Sequence, residues 1–348
     1  MVEHIVPKIL IAIGLFTAYQ LVVMWGRLAD MSENKLTLSA EVDFLTRKKE
    51  NLQRNIIDLE REKHRMELRL EKVDSQVKDL LPLASRRKNL PFIFFVTPTG
   101  RRPAQKADLI RLYQTLCHVP NLWWIIVEDA ARPSPFIDEI LKRSKLNSVH
   151  LVALTPPEMK LQQKDPKWKK PRGVEQRNVA LRWIRTNFAT HQKGVVYFGD
   201  DDNTYDWTLF DEMRTVNRVG VWPVGIVGSL LVETPLLFDN VTIRGFHSVW
   251  RPDRLFPFDM AAFAVNITLI LKHKDVYFSY KSQIGFQETD FLQSLNLSRK
   301  DLEPKGDYCT KVYVWHTRTE KTKMSRETAQ KFQTMKGNFL EAELDAIQ

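Results

Sequence analysis

Three carboxylates, Asp200, Asp201 and Asp202, follow directly on the apolar run Val195-Val196-Tyr197-Phe198 and Gly199. Adjacent anions repel one another, so a cation that joins them would make the triplet tolerable. Oxygen-only ligation suits a hard ion such as Mg²⁺ or Mn²⁺. An ion in that place would hold a diphosphate, and the triplet therefore points to a nucleotide-dependent transferase. A solvated acidic turn is the plainer alternative. Other residues could share in such chemistry. Arg172 and Arg177 lie five apart around Gly173, and guanidinium forks match phosphate or carboxylate bidentately. Asp129 ends the apolar run Leu122 to Val127, where it could read a ring N–H or simply cap a turn. Glu288 and Asp290 could accept a proton or serve the first turn of a helix. His316 follows the apolar stretch Val312 to Trp315, with Arg318 two residues on.

Alternating elements are needed to hold these groups. The Val195 run is short, β-branched and aromatic, as a buried strand is. Pro91 to Val96, Leu122 to Val127 and Val149 to Leu154 read as further strands. Helices are expected from Pro103, around Phe136 to Leu141, and from about Val174 to Phe188. That succession predicts an α/β fold with a mostly parallel sheet flanked by helices, and carboxylates at strand ends facing a ligand crevice. Beyond Asn203 the pattern is mixed. Trp222 to Val227 and Val312 to Trp315 read as strands, and Gln287 to Leu295 as a short helix. The domain expectation is a donor-binding half over 90–202, an acceptor-binding half over 203–321 and a polar tail over 322–348.

The N-terminal quarter is different. Residues 1–8 read as a short tail, and Ile9 to Trp25 form an uncharged apolar run at the lower edge of membrane-spanning length. We read it as an uncleaved anchor rather than a signal peptide. Leu38, Leu45, Leu52, Leu59, Met66, Val73 and Leu80 recur every seven residues, with Val42, Ile56, Leu70 and Val77 at the alternate positions. This predicts a parallel coiled-coil stem over 26–89 and hence a homodimer. The net charge of +10 suits an anionic substrate, a nucleic acid or a membrane surface; a nucleic-acid binder would not explain the anchor. Cys117 and Cys309 make neither a zinc site nor a disulfide framework, and a single bridge or two thiols are both open. Asn240, Asn266 and Asn296 head glycosylation sequons.

Taken in order, several segments resemble the β1,3-glucuronyltransferases. They are Val96-Thr97-Pro98-Thr99, Val127-Glu128-Asp129-Ala130, Pro171 to Asn178, Val195 to Tyr205, Trp222-Pro223-Val224-Gly225, Asp259-Met260-Ala261, Gln287 to Phe291 and Trp315 to Glu320. The resemblance spans about Phe92 to Lys321. It implies a nucleotide-diphospho-sugar (GT-A) fold in a type II Golgi membrane enzyme with a lumenal catalytic domain. It further implies Mn²⁺-dependent transfer of glucuronic acid from UDP-glucuronate to a galactose-ended glycan, with the proteoglycan linker foremost. Asp202 is then the metal ligand. Pro98, Asp129, Arg172, Arg177, Asp200, Asp201, His316 and Arg318 serve the donor, with Asp200 and Asp201 on the ribose and its hydrogen-bond network. Glu288 is the base, and Glu233, Trp250, Arg254 and Asp259 hold the acceptor galactose. One departure stands out: the family usually has Tyr after Val-Thr-Pro-Thr, stacking on uracil, and here that place is Gly100.

Two rivals come from other classes. Asp200-x-Asp202-x-Thr204 after a strand also fits an aspartyl-phosphate phosphatase, with the first Asp as nucleophile. A family member that has lost turnover is the other, and Gly100 is the feature that keeps it open.

Overall fold

The computed structural model describes residues 6–80, 90–162, 165–166, 169–239, 241–320, 341–342 and 345–346. The chain divides by its contacts at 81/82. The first unit is one helix, α1 (Val6–Leu80), 75 residues long. Gly14 and Gly26 are its glycines, and Pro7 stands in its first turn, where the missing N–H costs nothing. Leu38, Val42, Leu45, Leu52, Ile56, Leu59, Met66 and Leu70 all lie exposed along it. Val73, Val77 and Leu80 fall outside the residues whose side chains are described, as do residues 6–9 and 12 of the apolar region. Among the described residues no helix is long and apolar enough to cross a membrane.

The second unit is mixed α/β. β1 (Phe92–Thr99) leads through α2 (Gln105–Leu116) to β2 (Leu122–Glu128). α3 (Pro135–Ser144), β3 (Asn147–Val152), α4 (Val174–Asn187) and β4 (Gly194–Phe198) follow. β1 pairs in parallel with β2 on one side and β4 on the other, and β2 pairs in parallel with β3. The first strand thus sends its chain one way to β2 and β3, and the fourth strand comes back to its opposite edge. Such a reversal leaves a crevice beyond the carboxyl ends of the two central strands. Here those ends are Thr99 and Phe198. The strands are β-branched and aromatic because both faces are covered; Ile93 to Val96, Trp124 to Val127 and Val195 to Phe198 are all buried.

The remaining chain departs from a simple parallel sheet. β5 (Thr204–Tyr205), α5 (Trp207–Met213), β6 (Val219–Val221), β7 (Val224–Val227), β8 (Leu230–Leu237) and β9 (Ile243–His247) come in turn. β10 (Phe263–Asn266), α6 (Ile267–Lys272), α7 (Gln287–Ser294), β11 (Leu302–Pro304) and β12 (Val314–Trp315) complete them. β10 runs antiparallel between β4 and β6, so the large sheet has the order β11-β6-β10-β4-β1-β2-β3. The expected halves at 202/203 therefore share one sheet. A second sheet, β5-β12-β7-β8-β9, contains a hairpin, β8–β9, that the sequence reading did not include. Leu231 and Phe238 on it are exposed, so it lacks the clean alternation of a half-buried strand.

Cys117 and Cys309 are free thiols. Asn266 is the N-cap of α6: its Oδ1 accepts from Thr268 N, and its Nδ2 donates to Val216 O at 3.1 Å. A side chain committed in this way is not open to a glycan, which corrects the expectation for that sequon. Asn296 is exposed, and Asn240 lies outside the described residues.

Candidate active site

The triplet does not act as one cluster. Gly199 turns the chain out of β4 where a Cβ would come within 2.1 Å of the Phe95 ring, so only glycine passes. Asp201 then points inward. It is 6% exposed and accepts from Thr99 Oγ1 at 2.5 Å and from both terminal nitrogens of Arg102, at 2.9 and 2.7 Å. Burial pushes Asp201 up to about 6, while Arg102 and Thr99 pull it back and Asp202 adds to the rise. Asp200 turns the other way and accepts from Arg177 Nη2 at 3.1 Å. The expectation that a cation must join the three is thus overturned: arginines neutralise two of them. Asp201 thereby belongs to the hydrogen-bond network of the site, with Thr99 and Arg102 as its partners. The carboxylate of Asp202 makes no hydrogen bond among the described residues. Its backbone oxygen accepts from Thr317 Oγ1 at 2.6 Å.

Arg177 stands at the hub of a cluster beside Asp200. It is 7% exposed, and its Nη1 donates to the backbone oxygen of Arg172 at 2.8 Å. Gly173 caps α4 with φ +70, and a Cβ there would meet Arg177 at 2.7 Å and Pro98 at 3.3 Å. The Gly between the arginines is therefore what lets Arg177 fold back against its own helix start. The Arg172 and Arg318 side chains are exposed. Asp129, just past β2, accepts from the N–H and the hydroxyl of Thr155, both at 2.8 Å. A Cβ on Gly100 would lie 3.8 Å from the Cβ of Asp129.

A second group adjoins. Asp259 caps a short 3-10 turn, accepting from Ala261 N at 3.0 Å, and its Oδ2 lies 3.1 Å from Nδ1 of His316. The contact becomes an ion pair when the imidazole is protonated. Burial would raise Asp259, but His316, the Ala261 N–H and the field of Arg177 more than offset it and hold it low. The same contact raises His316 above its ordinary value, against the opposing effect of burial. Glu288, in the first turn of α7, is pushed up to about 7. Burial is the main cause and Asp259 adds to it, while Arg254, the backbone N–H and Arg177 oppose it. Arg254, 4% exposed, comes within 3.5 Å of Glu288 Oε2. Its other bonds go to backbone oxygens of Gly285, Arg251 and Trp250. Glu233 on β8 accepts from Ser248 Oγ, and burial raises it too. Gly285, at φ +84, leaves no room for a Cβ beside the Trp250 indole, which is half exposed. Glu288, Arg254, Glu233, Asp259, His316 and Trp250 are thus brought together, with Arg177 and Asp200 adjoining them.

Several residues of the site escaped the sequence reading. Arg102 is one: it is locked on Asp201 and Asp108. Asn178 pins the Phe278 backbone through both of its amide atoms, at 2.9 Å each, and Phe278 stacks on Phe291 at 4.2 Å beside α7. An internal polar residue on the apolar face of α4 is the signal that was available. Among the described residues no group of three or more His, Cys, Asp or Glu could hold a metal ion. The site thus offers Asp202 as one carboxylate ligand, not a cage. That fits an ion such as Mg²⁺ or Mn²⁺ that keeps waters and substrate phosphates as its remaining ligands.

Comparison with known proteins agrees with this picture. The model of glycosyltransferase family 43 matches residues 112–320. The protein named galactosylgalactosylxylosylprotein 3-beta-glucuronosyltransferase sqv-8 of Caenorhabditis elegans is 50% identical over 334 residues, 95% of this chain and 94% of its own. Galactosylgalactosylxylosylprotein 3-beta-glucuronosyltransferase I of Drosophila melanogaster is 50% identical over 245 residues, 69% and 80% of the two chains. Galactosylgalactosylxylosylprotein 3-beta-glucuronosyltransferase 3 of Homo sapiens is 48% identical over 248 residues, 68% and 73%. The family match takes in the acidic triplet, both arginines, Glu288 and His316, and on that span the chain belongs to glycosyltransferase family 43.

Proposed function

We propose that the chain transfers glucuronic acid from UDP-glucuronate to the 3-hydroxyl of the terminal galactose in the Gal-Gal-Xyl linker of proteoglycans, with inversion. The observation that carries this is the placement of Glu288. A carboxylate pushed up to about 7 stands beside Arg254, within the fields of Asp259 and Arg177. An inverting transfer is a single displacement, and it needs such a base on the acceptor side and cations on the leaving side. Trp250 supplies the flat apolar face that a galactose ring packs on. Arg254 and Glu233 supply polar partners for its hydroxyls. On the donor side Asp129 reads the uracil edge, Asp200 meets the ribose, and Arg172, Arg177, His316 and Arg318 meet the diphosphate and the glucuronate. Pro98 packs at Gly173 and shapes the floor. Asp202 would hold Mn²⁺, which when bound supplies positive charge to the departing diphosphate. The sheet order and its crevice support a GT-A arrangement. Two arginine-neutralised carboxylates leave no free aspartyl nucleophile beside an acid, so the phosphatase reading is set aside. Assaying transfer from UDP-glucuronate to a panel of galactosides tests the proposal. No transfer to Gal-Gal-Xyl, with transfer to another galactoside, would move the acceptor assignment.

The exposed heptad row of α1 supports a parallel stem dimer, since a lone helix leaves that stripe in water. With an anchor at 9–25, the resemblance to the type II Golgi glucuronyltransferases supports reading the chain as a single-pass type II protein of that membrane. Charged residues in place of Leu45, Leu52 and Leu59 should convert a dimeric lumenal fragment toward monomer in sedimentation; an unmodified monomer refutes the stem.

Gly100 gives a prediction about the donor. Its Cβ position is in ordinary contact distance of Asp129, and it is not among the residues of positive φ. Arg102 is held by Asp201, Asp108 and the Gly100 carbonyl. The backbone there therefore accepts a Cβ. Stacking on a base contributes roughly 1–3 kcal/mol, about a five- to hundred-fold change in affinity. Gly100→Tyr should tighten UDP and lower the donor KM, with kcat little changed. Calorimetry showing weaker or unaltered UDP binding would count against it.

A further inference from the structure

The segment that carries His316 and Arg318 is held from behind. Val314 and Trp315 pair with β5 and β7, and His316 N donates to Gly225 O at 2.9 Å. Past that point the chain leaves the sheet. Two threonines then fasten it. Thr317 Oγ1 donates to the backbone oxygen of Asp202 at 2.6 Å and lies 3.0 Å from Thr204 Oγ1. Thr319 Oγ1 donates to Asp108 Oδ1 at 2.6 Å.

Asp108 is an unusual anchor. It lies in the first turn of α2 and is 1% exposed. Besides Thr319 it accepts from Arg111 at 2.6 Å and from Arg102 at 2.6 Å. Arg102 is the same guanidinium that grips Asp201. A continuous set of charge-assisted bonds thus runs from the acidic triplet through Arg102 and Asp108 to Thr319. Thr317 and Thr319 are thus spent on Asp202 and α2, which leaves His316 beside Asp259 and within the field of Asp200.

We propose that Thr319 and Asp108 form a clasp that positions His316 and Arg318 for the donor. Asp108 and Thr319 touch no substrate; they act through the strap and through Asp201. The clasp rests on the reading of His316 as a donor contact. It makes the strap and the triplet one unit, so the diphosphate-binding side chains keep register with Asp202.

The test uses the full chain and measures UDP binding, donor KM, acceptor KM and kcat. Thr319→Val keeps the volume and removes the hydroxyl. Donor KM and the UDP dissociation constant should rise about two- to ten-fold, the range of one lost hydrogen bond. Acceptor KM and the melting temperature should hold, and Thr319→Ser should restore the donor constants. Asp108→Asn should follow Thr319→Val in direction. His316→Ala is measured beside them. If His316→Ala weakens UDP while Thr319→Val does not, the clasp is overturned and the reading of His316 stands. If His316→Ala binds UDP as the unaltered chain does, that reading fails and takes the clasp with it. Equal loss of donor and acceptor binding, with no recovery in Thr319→Ser, would mark a purely structural bond and overturn the proposal.

Discussion

Asp202→Ala is expected to abolish transfer while leaving the fold intact, and a chelator should do the same to the unaltered chain. The expectation follows from how the three carboxylates part. Asp200 and Asp201 are bound to Arg177 and Arg102, so only Asp202 has its carboxylate free for an ion. A metal at a departing diphosphate contributes several kcal/mol, so the loss should reach roughly 10³-fold or more. The neighbouring substitution gives the contrast. Asp201→Ala would leave Thr99 without its acceptor and Arg102 with Asp108 as its one remaining carboxylate, a defect that costs about 1–3 kcal/mol of stability. Asp202→Ala should therefore melt like the unaltered chain and Asp201→Ala well below it. Full activity in excess chelator would end the metal reading. A collapse of stability in Asp202→Ala would show that the carboxylate has a structural partner.

Glu288→Gln should lower transfer by on the order of 10²–10⁴, the usual cost of a lost general base, and still bind UDP. A pH signature accompanies it. Glu288 is pushed up to about 7, and only its deprotonated form accepts the acceptor hydroxyl's proton. Below that value kcat/KM should fall about tenfold per pH unit, and above it the profile should level. Glu288→Gln should remove this limb. Asp290, two residues along the same helix, is the control. Normal turnover in Glu288→Gln together with a dead Asp290→Asn would show that the other carboxylate is the base.

Much of this site was legible because single residue types made local demands. Gly173 between two arginines and Gly199 ahead of three aspartates mark turns where a side chain would collide. The four parallel strands announced themselves as short β-branched runs. The partition of the triplet was not legible. It depends on Arg102, 99 residues from Asp201, and on Asp108 and Thr319, 211 residues apart, and no periodicity relates them. Sequence reasoning treated adjacent like charges as a pair problem. The fold solves it by sending successive carboxylates to different arginines. The β8–β9 hairpin was missed for another reason. Its outward residues include Leu231, Phe238 and Val241, so polarity does not alternate there as it does on a half-buried strand.

The place of β10 carries a consequence for how such a protein can change over generations. β4 delivers the acidic triplet, and its other neighbour is a strand drawn from far down the chain, Phe263–Asn266, just after Asp259. Exchange of everything past the triplet between relatives would set an incoming β10 against a β4 it was not selected to pack beside, in the middle of the core. New acceptor preferences are therefore not expected to arrive as a shuffled cassette. They must accumulate by point changes or by replacement of peripheral pieces, and the β8–β9 hairpin at the margin of the smaller sheet, which holds Glu233, is the piece that can be traded with the least disturbance.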